Sequence, residues 1–422
     1  MFKKTTLENG LRIITVPQEN TEAVTVLVLV GTGSKYEEKE VNGISHFLEH
    51  MYFKGTKKQP TYLEVAETLD KIGGIYNAFT AEDYTGYFAK VSAGHLDTAL
   101  EWVSDIFLNS ILPKAEIEKE KGVIKEELNM HQDIPMNYVQ LLWARLLYGD
   151  QPAGRDIVGT KETLSKMTRE KLLSYMKSQY VASNTIICVA GKMTASKTLV
   201  KVKRYFAKIT TAKPAQKPPV FERQTAPESL IYFKETDQSH LCLGVRAYNL
   251  SHPLRYAQEL LGVILGGMMS SRLFVEVRER LGLTYYIKTA IEDNADTGYL
   301  VTQVGVDNKR VEQTISVILK EYKRVSQEKI SAAELKKAKD YVKGKMVLEL
   351  EPSDTKAFFY AGQELLEKKI LLSEQVFKKI DKVSENDILK VAGDIFRPEN
   401  LNVALVGPFK DKDKFSKLLN DW

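Results

Sequence analysis

The 422-residue sequence predicts an α+β fold of two similar domains, each a largely antiparallel sheet with helices packed on one face. Three observations predict it. A proline-rich stretch breaks the chain near its middle. The same order of elements can be traced on either side of the break, as an internal duplication requires. Alternating apolar runs are mixed with runs of helical period, without the strict strand–helix alternation of a doubly wound parallel sheet.

The break is residues 208–227, KITTAKPAQKPPVFERQTAP, where four prolines among polar residues forbid a regular helix and favour an extended linker. A chain of this length exceeds what one core organises, so domains are expected over 1–210 and 227–422, joined by a linker at 211–226. In the first half Thr85-Gly86-Tyr87 opens an apolar strand, and in the second Thr297-Gly298-Tyr299 opens another. Ala115-Glu116-Ile117 begins a long Lys/Glu-rich helix whose counterpart begins at Ala333-Glu334-Leu335. Each half closes on a strand ending in glycine, at Asn184 to Gly191 and at Asn400 to Gly407.

Hydrophobic residues make up 43% of the chain and charged residues 27%, as in ordinary globular domains. No apolar run approaches the roughly 18 residues of a membrane helix, and Leu11 to Val16 is too short for the apolar core of a secretory signal. A cytoplasmic protein without membrane partners is expected. The net charge of +5 is spread along mixed Lys/Glu stretches instead of forming a basic patch, which disfavours nucleic acid as a partner. Cys188 and Cys242 lie in apolar strand-like runs, where each reads as a small buried hydrophobe.

Chemistry concentrates in Asn42 to Gly55, NGISHFLEHMYFKG. Asn42 or Ser45 can cap a helix start and Gly55 can follow its end. His46 and His50 stand four apart, so on a helix both rings project from one face toward a single ion. Glu49 lies along the same side, where its carboxylate can reach water at that ion without being a ligand. Phe47, Leu48 and Met51 face the core. A catalytic zinc takes three protein ligands and keeps one position for water, so a third ligand must come from elsewhere. The stretch Ile117 to Asn129 offers Glu118, Glu120, Glu126 and Glu127. Glu120 and Glu127 share a stripe with Ile124, which suggests that this face turns inward, but patterning does not choose among the four.

His46 to His50, followed by Met51-Tyr52-Phe53-Lys54-Gly55-Thr56, is similar to the inverted zinc motif of the pitrilysin and insulysin (M16) metallopeptidases, especially their mitochondrial processing peptidase-like branch. The resemblance implies one zinc ion per chain and a third ligand 77 positions beyond the second histidine, at Glu127. It implies a supporting catalytic glutamate at Glu120. Gly73 to Thr80 resembles the edge strand on which that family pairs its substrate, with Asn77 and Ala78 as contacts. Arg278 to Tyr285 resembles its substrate-binding arginine and oxyanion-stabilising tyrosine. At the place of the first motif the second half has Ile264-Leu265-Gly266-Gly267-Met268, so it is expected to hold no metal.

By the same resemblance the chain is a zinc endopeptidase of peptides or unfolded segments. Family members close a chamber from four such domains, which implies a homodimer here. The alternatives are a catalytically silent peptide-binding scaffold, or one subunit of a heterodimeric processing peptidase.

Overall fold

The computed structural model describes residues 2–411 and 413–422. Two compact units make up the chain, each with its own sheet. The first comprises Met1–Leu128, Asp156–Pro218 and Leu348–Leu371, and the second comprises Asn129–Arg155, Pro219–Val347 and Leu372–Trp422.

The first unit contains strands β1 (Lys3–Thr6), β2 (Arg12–Pro17), β3 (Ala23–Val30), β4 (Ile75–Thr80), β5 (Thr85–Ser92) and β6 (Thr185–Gly191). They form one sheet in the order β1-β2-β6-β3-β5-β4. Every pair is antiparallel except β2 with β6. Helices α1 (Ile44–Met51), α2 (Tyr62–Asp70) and α3 (Leu96–Asn109) bury their apolar stripes against one face of this sheet. The next helix is α4 (Lys114–Asp133).

The strands β3 and β6 read AVTVLVLV and TIICVAG, continuous apolar runs that require cover on both faces. One helix meets that need from far along the chain. Ala357, Ala361 and Leu365 of the helix Ser353–Glu367 pack on Ile14, Leu27, Leu29, Ile186 and Cys188. Burying Leu365 contributes about 1.5–3 kcal/mol. Two ion pairs at 2.9 Å lie at the rim, Lys4 with the buried Glu364 and Lys90 with Asp354; the second is partly exposed and adds at most about 1 kcal/mol. The first sheet therefore carries a helical layer on one face and a single helix on the other.

The second unit repeats this plan with α5 (Pro135–Tyr148), β7 (Glu228–Phe233), β8 (Gln238–Ala247), β9 (Thr284–Asp293), β10 (Gly298–Asp307) and β11 (Leu401–Gly407). Its order β7-β11-β8-β10-β9 matches that of the first sheet without β1, down to one parallel pair at the same place. Val139, Leu142, Trp143 and Leu147 of α5 cover Cys242, Ala404 and Val406. Each half of the sequence thus lends one helix to the other half's sheet, so the compact units do not follow the chain's halves. Both cysteines lie beneath the lent helices, and burial pushes both thiols up from their ordinary range.

No helix among the described residues is long and apolar enough to cross a membrane.

Candidate metal centre

Helix α1 is too short to be stable alone and is fixed by what surrounds it. Ile44, Phe47, Leu48 and Met51 are fully buried on its inner side. Its N-terminus is not capped by Asn42 or Ser45, as the sequence suggested. Gly43 takes the N-cap position with φ of +92°, a left-handed conformation that glycine adopts without strain. The orphan amides are met instead by the buried carboxylate of Glu37. Its Oε2 accepts from the Gly43 amide at 2.7 Å and from Asn42 Nδ2 at 3.0 Å, and its Oε1 accepts from the Ser45 amide at 2.9 Å. Burial pushes the Glu37 carboxyl up to about 7, with these donors opposing the shift. The Ser45 and Tyr175 hydroxyls lie 3.0 Å apart, and Tyr175 also meets Thr32 at 2.8 Å, which ties α1 to the sheet.

On the outer face of α1 the rings of His46 and His50 lie 4.7 Å apart between centroids. Helix α4 buries Ile117, Glu120, Ile124 and Leu128, and this inward stripe carries Glu127 at its edge. His46 Nε2 lies 3.5 Å from Glu127 Oε1, and His50 Nε2 lies 3.5 Å from Glu127 Oε2. All three groups offer ligand atoms within 4.8 Å of one another. Ligands bound tetrahedrally to zinc at its usual bond lengths stand roughly 3.4 Å apart. Two imidazoles and one carboxylate at this spacing fit a single zinc ion, with one position left for water. The approach of His46 and then of His50 holds the Glu127 carboxyl well below the usual carboxylate range. Burial pulls His46 down, but Glu127 together with the charges of Glu49 and Asp156 outweighs it, and the net shift is upward.

Glu49 is half-buried on the same helix, and its Oε2 accepts a hydrogen bond from Thr80 Oγ1 at 2.6 Å. Thr80 is the last residue of β4, the free edge of the first sheet. Asn77 and Ala78 lie on that edge strand, with Ala78 buried and its amide donating to Asn77 Oδ1 at 2.9 Å. Glu120 is buried, and its Oε1 lies 2.7 Å from Lys54 Nζ. Glu118 and Glu126 are exposed, and Glu118 pairs with Lys121.

In the second unit Arg278 and Tyr285 stand together: the guanidinium lies over the Tyr285 ring at 5.1 Å and over Phe274 at 4.8 Å. Tyr285 is 82% exposed at the start of the edge strand β9, so its hydroxyl is open to a ligand. At the places of the two histidines the second half has Ile264 and Met268, both buried and neither an imidazole.

Two features of the centre had no signal in the sequence. Glu37 stands upstream of the motif in a polar run, and Thr80 ends a strand of unremarkable composition. Only packing reveals either.

Known proteins resemble this chain along nearly its whole length. The Insulinase (Peptidase family M16) family matches residues 12–161, and the Peptidase M16 inactive domain matches residues 166–342. The chain is similar to the uncharacterized zinc protease YmxG of Bacillus subtilis, 35% identical over 411 residues that span 97% of this chain and 98% of that protein. An uncharacterized zinc protease of Streptomyces coelicolor is 31% identical over 97% of this chain and 90% of its own length. Among solved structures, a protease from Helicobacter pylori superposes with a TM-score of 0.91 at 24% identity, covering 97% of this chain and 99% of that one. With its fold and both halves matched over nearly their whole length, the chain belongs to the insulinase-type M16 peptidase family.

Proposed function

We propose that this protein is a zinc-dependent endopeptidase that hydrolyses peptides or unfolded polypeptide segments. The observation that carries the reading is the convergence of His46, His50 and Glu127 from two helices, with Glu49 on the same face and not among the ligands. Zinc held by those three residues supplies Lewis acidity, which brings the pKa of water to about 7. Glu49 accepts the proton of the attacking water and passes it to the leaving amine. Glu120, buried and paired with Lys54, supports α4 beneath Glu127. Asn77 and Ala78 offer edge-strand backbone for substrate pairing, which gives affinity without demanding a sequence.

Arg278 is suited to grip a substrate carbonyl, and the exposed hydroxyl of Tyr285 to donate to the oxyanion. We assign both to a homodimer whose subunits enclose the substrate, with Arg278 and Tyr285 facing the metal of the other subunit.

Zinc analysis of the purified protein, coupled with cleavage of a quenched fluorescent peptide, tests the proposal. One zinc per chain and turnover that a chelator abolishes and zinc restores are expected. Stoichiometric zinc with no cleavage of any unfolded substrate would overturn it in favour of a silent peptide-binding scaffold.

A further inference from the structure

Strand β4 is pleated, so Tyr76, Ala78 and Thr80 share one face while Ile75, Asn77 and Phe79 share the other. The first face turns toward α1. Tyr76 packs on Phe53 and Trp102, Ala78 is buried, and Thr80 brings its hydroxyl to Glu49. The second face turns to the lent helix, where Phe79 meets Phe358 at 5.1 Å between ring centroids. With Ala78 buried, Phe79 packed on Phe358 and Thr80 paired to Thr85 in the ladder, the Thr80 side chain has little freedom. Its β-branched carbon also restricts χ1. A carboxylate oxygen accepts only, so the hydroxyl is the donor, and 2.6 Å is the distance of a charge-assisted hydroxyl–carboxylate bond.

A glutamate that serves as a base has three torsions to order, and α1 itself fixes only the first carbons of its side chain. We propose that Thr80 is a positioning residue for the reaction: its hydroxyl pins Glu49 Oε2 and so sets the direction in which the carboxylate faces the metal centre. The same residue ends the edge strand offered to substrate, so the base is registered to the sheet edge and not only to its own helix. This rests on the peptidase reading, and the experiment separates the two.

Thr80→Val keeps the shape and strand preference of the side chain and removes only the donor; Thr80→Ser keeps the donor. The readout independent of turnover is the crystal structure of each zinc-loaded full-length variant. In Thr80→Val the Glu49 carboxylate turns from its wild-type direction while zinc stays on His46, His50 and Glu127; in Thr80→Ser it does not turn. With a quenched peptide, Thr80→Val lowers kcat about 10- to 100-fold with KM within roughly threefold, and Thr80→Ser recovers most of it. An unmoved Glu49 in Thr80→Val, or unchanged kcat, overturns the proposal. Loss of zinc or of cooperative melting in both Thr80→Val and Thr80→Ala also overturns it, because the hydroxyl then serves the fold. A wild-type enzyme that cleaves nothing counts against the peptidase reading alone, and the Glu49 direction in the variant structures still decides the role of Thr80.

Discussion

His46 Nε2 and Glu127 Oε1 meet at 3.5 Å although they stand on different helices, α1 and α4, each anchored separately in the first core. That meeting makes a candidate cation site out of a sequence motif. It also makes the site sensitive to any change that shifts one helix against the other.

Glu127→Gln keeps the volume but replaces one ligand oxygen with a weakly coordinating amide. Zinc retained after dialysis, measured by atomic absorption, is expected to fall from one per chain to a small fraction. The rise in Tm on adding zinc to the apoprotein should shrink with it, because ligand binding stabilises in proportion to its affinity.

Glu49→Gln leaves every metal ligand in place and removes the proton acceptor. Zinc content should match the wild type, while kcat drops by about 10²–10⁴-fold or more. Full turnover in a zinc-loaded Glu49→Gln protein would falsify the assignment of the base.

Glu37→Gln turns an amide N–H toward one of the backbone donors that the carboxylate now receives at the start of α1. Leaving such a buried group unpaired costs about 1–3 kcal/mol, to be read from denaturant unfolding. Activity should fall with stability, because the misplaced helix carries two of the three proposed ligands.

The same substitution has a pH signature. The folded Glu37 carboxyl is raised from 4.5 to about 7, so between those values the folded state binds more protons than the unfolded one. Its contribution to stability is therefore greatest at low pH and is lost as pH rises through that window. The difference in Tm between wild type and Glu37→Gln, followed from pH 4.5 to 8, should change in that sense. A pH-independent difference would show that Glu37 stays ionised in the fold.

Mixing tests the assembly. Glu49→Gln lacks the base but keeps Tyr285, and Tyr285→Phe does the reverse. If the two act across a dimer, mixed dimers contain one intact site, and up to about half of wild-type activity per mixed dimer is expected. No rescue in mass-verified mixed dimers argues against action between subunits.

The sequence by itself determined whatever depends on near neighbours. His46, Glu49 and His50 share a helix face because 3.6 residues make a turn, and the repeated strand and helix order followed from apolar periodicity and a proline-rich break. Tertiary structure decided everything that needed distant segments to meet. Pattern set Glu120 and Glu127 on one stripe of α4 with Ile124 without choosing between them, and packing placed Glu127 on both histidines while Glu120 turned to Lys54. The α1 cap came from Glu37 and the hydrogen bond to the base from Thr80, since hydrogen bonds between segments leave no periodicity to read. The helix exchange was equally hidden. A helix's apolar stripe says that it must be covered, and which sheet covers it depends on the whole fold.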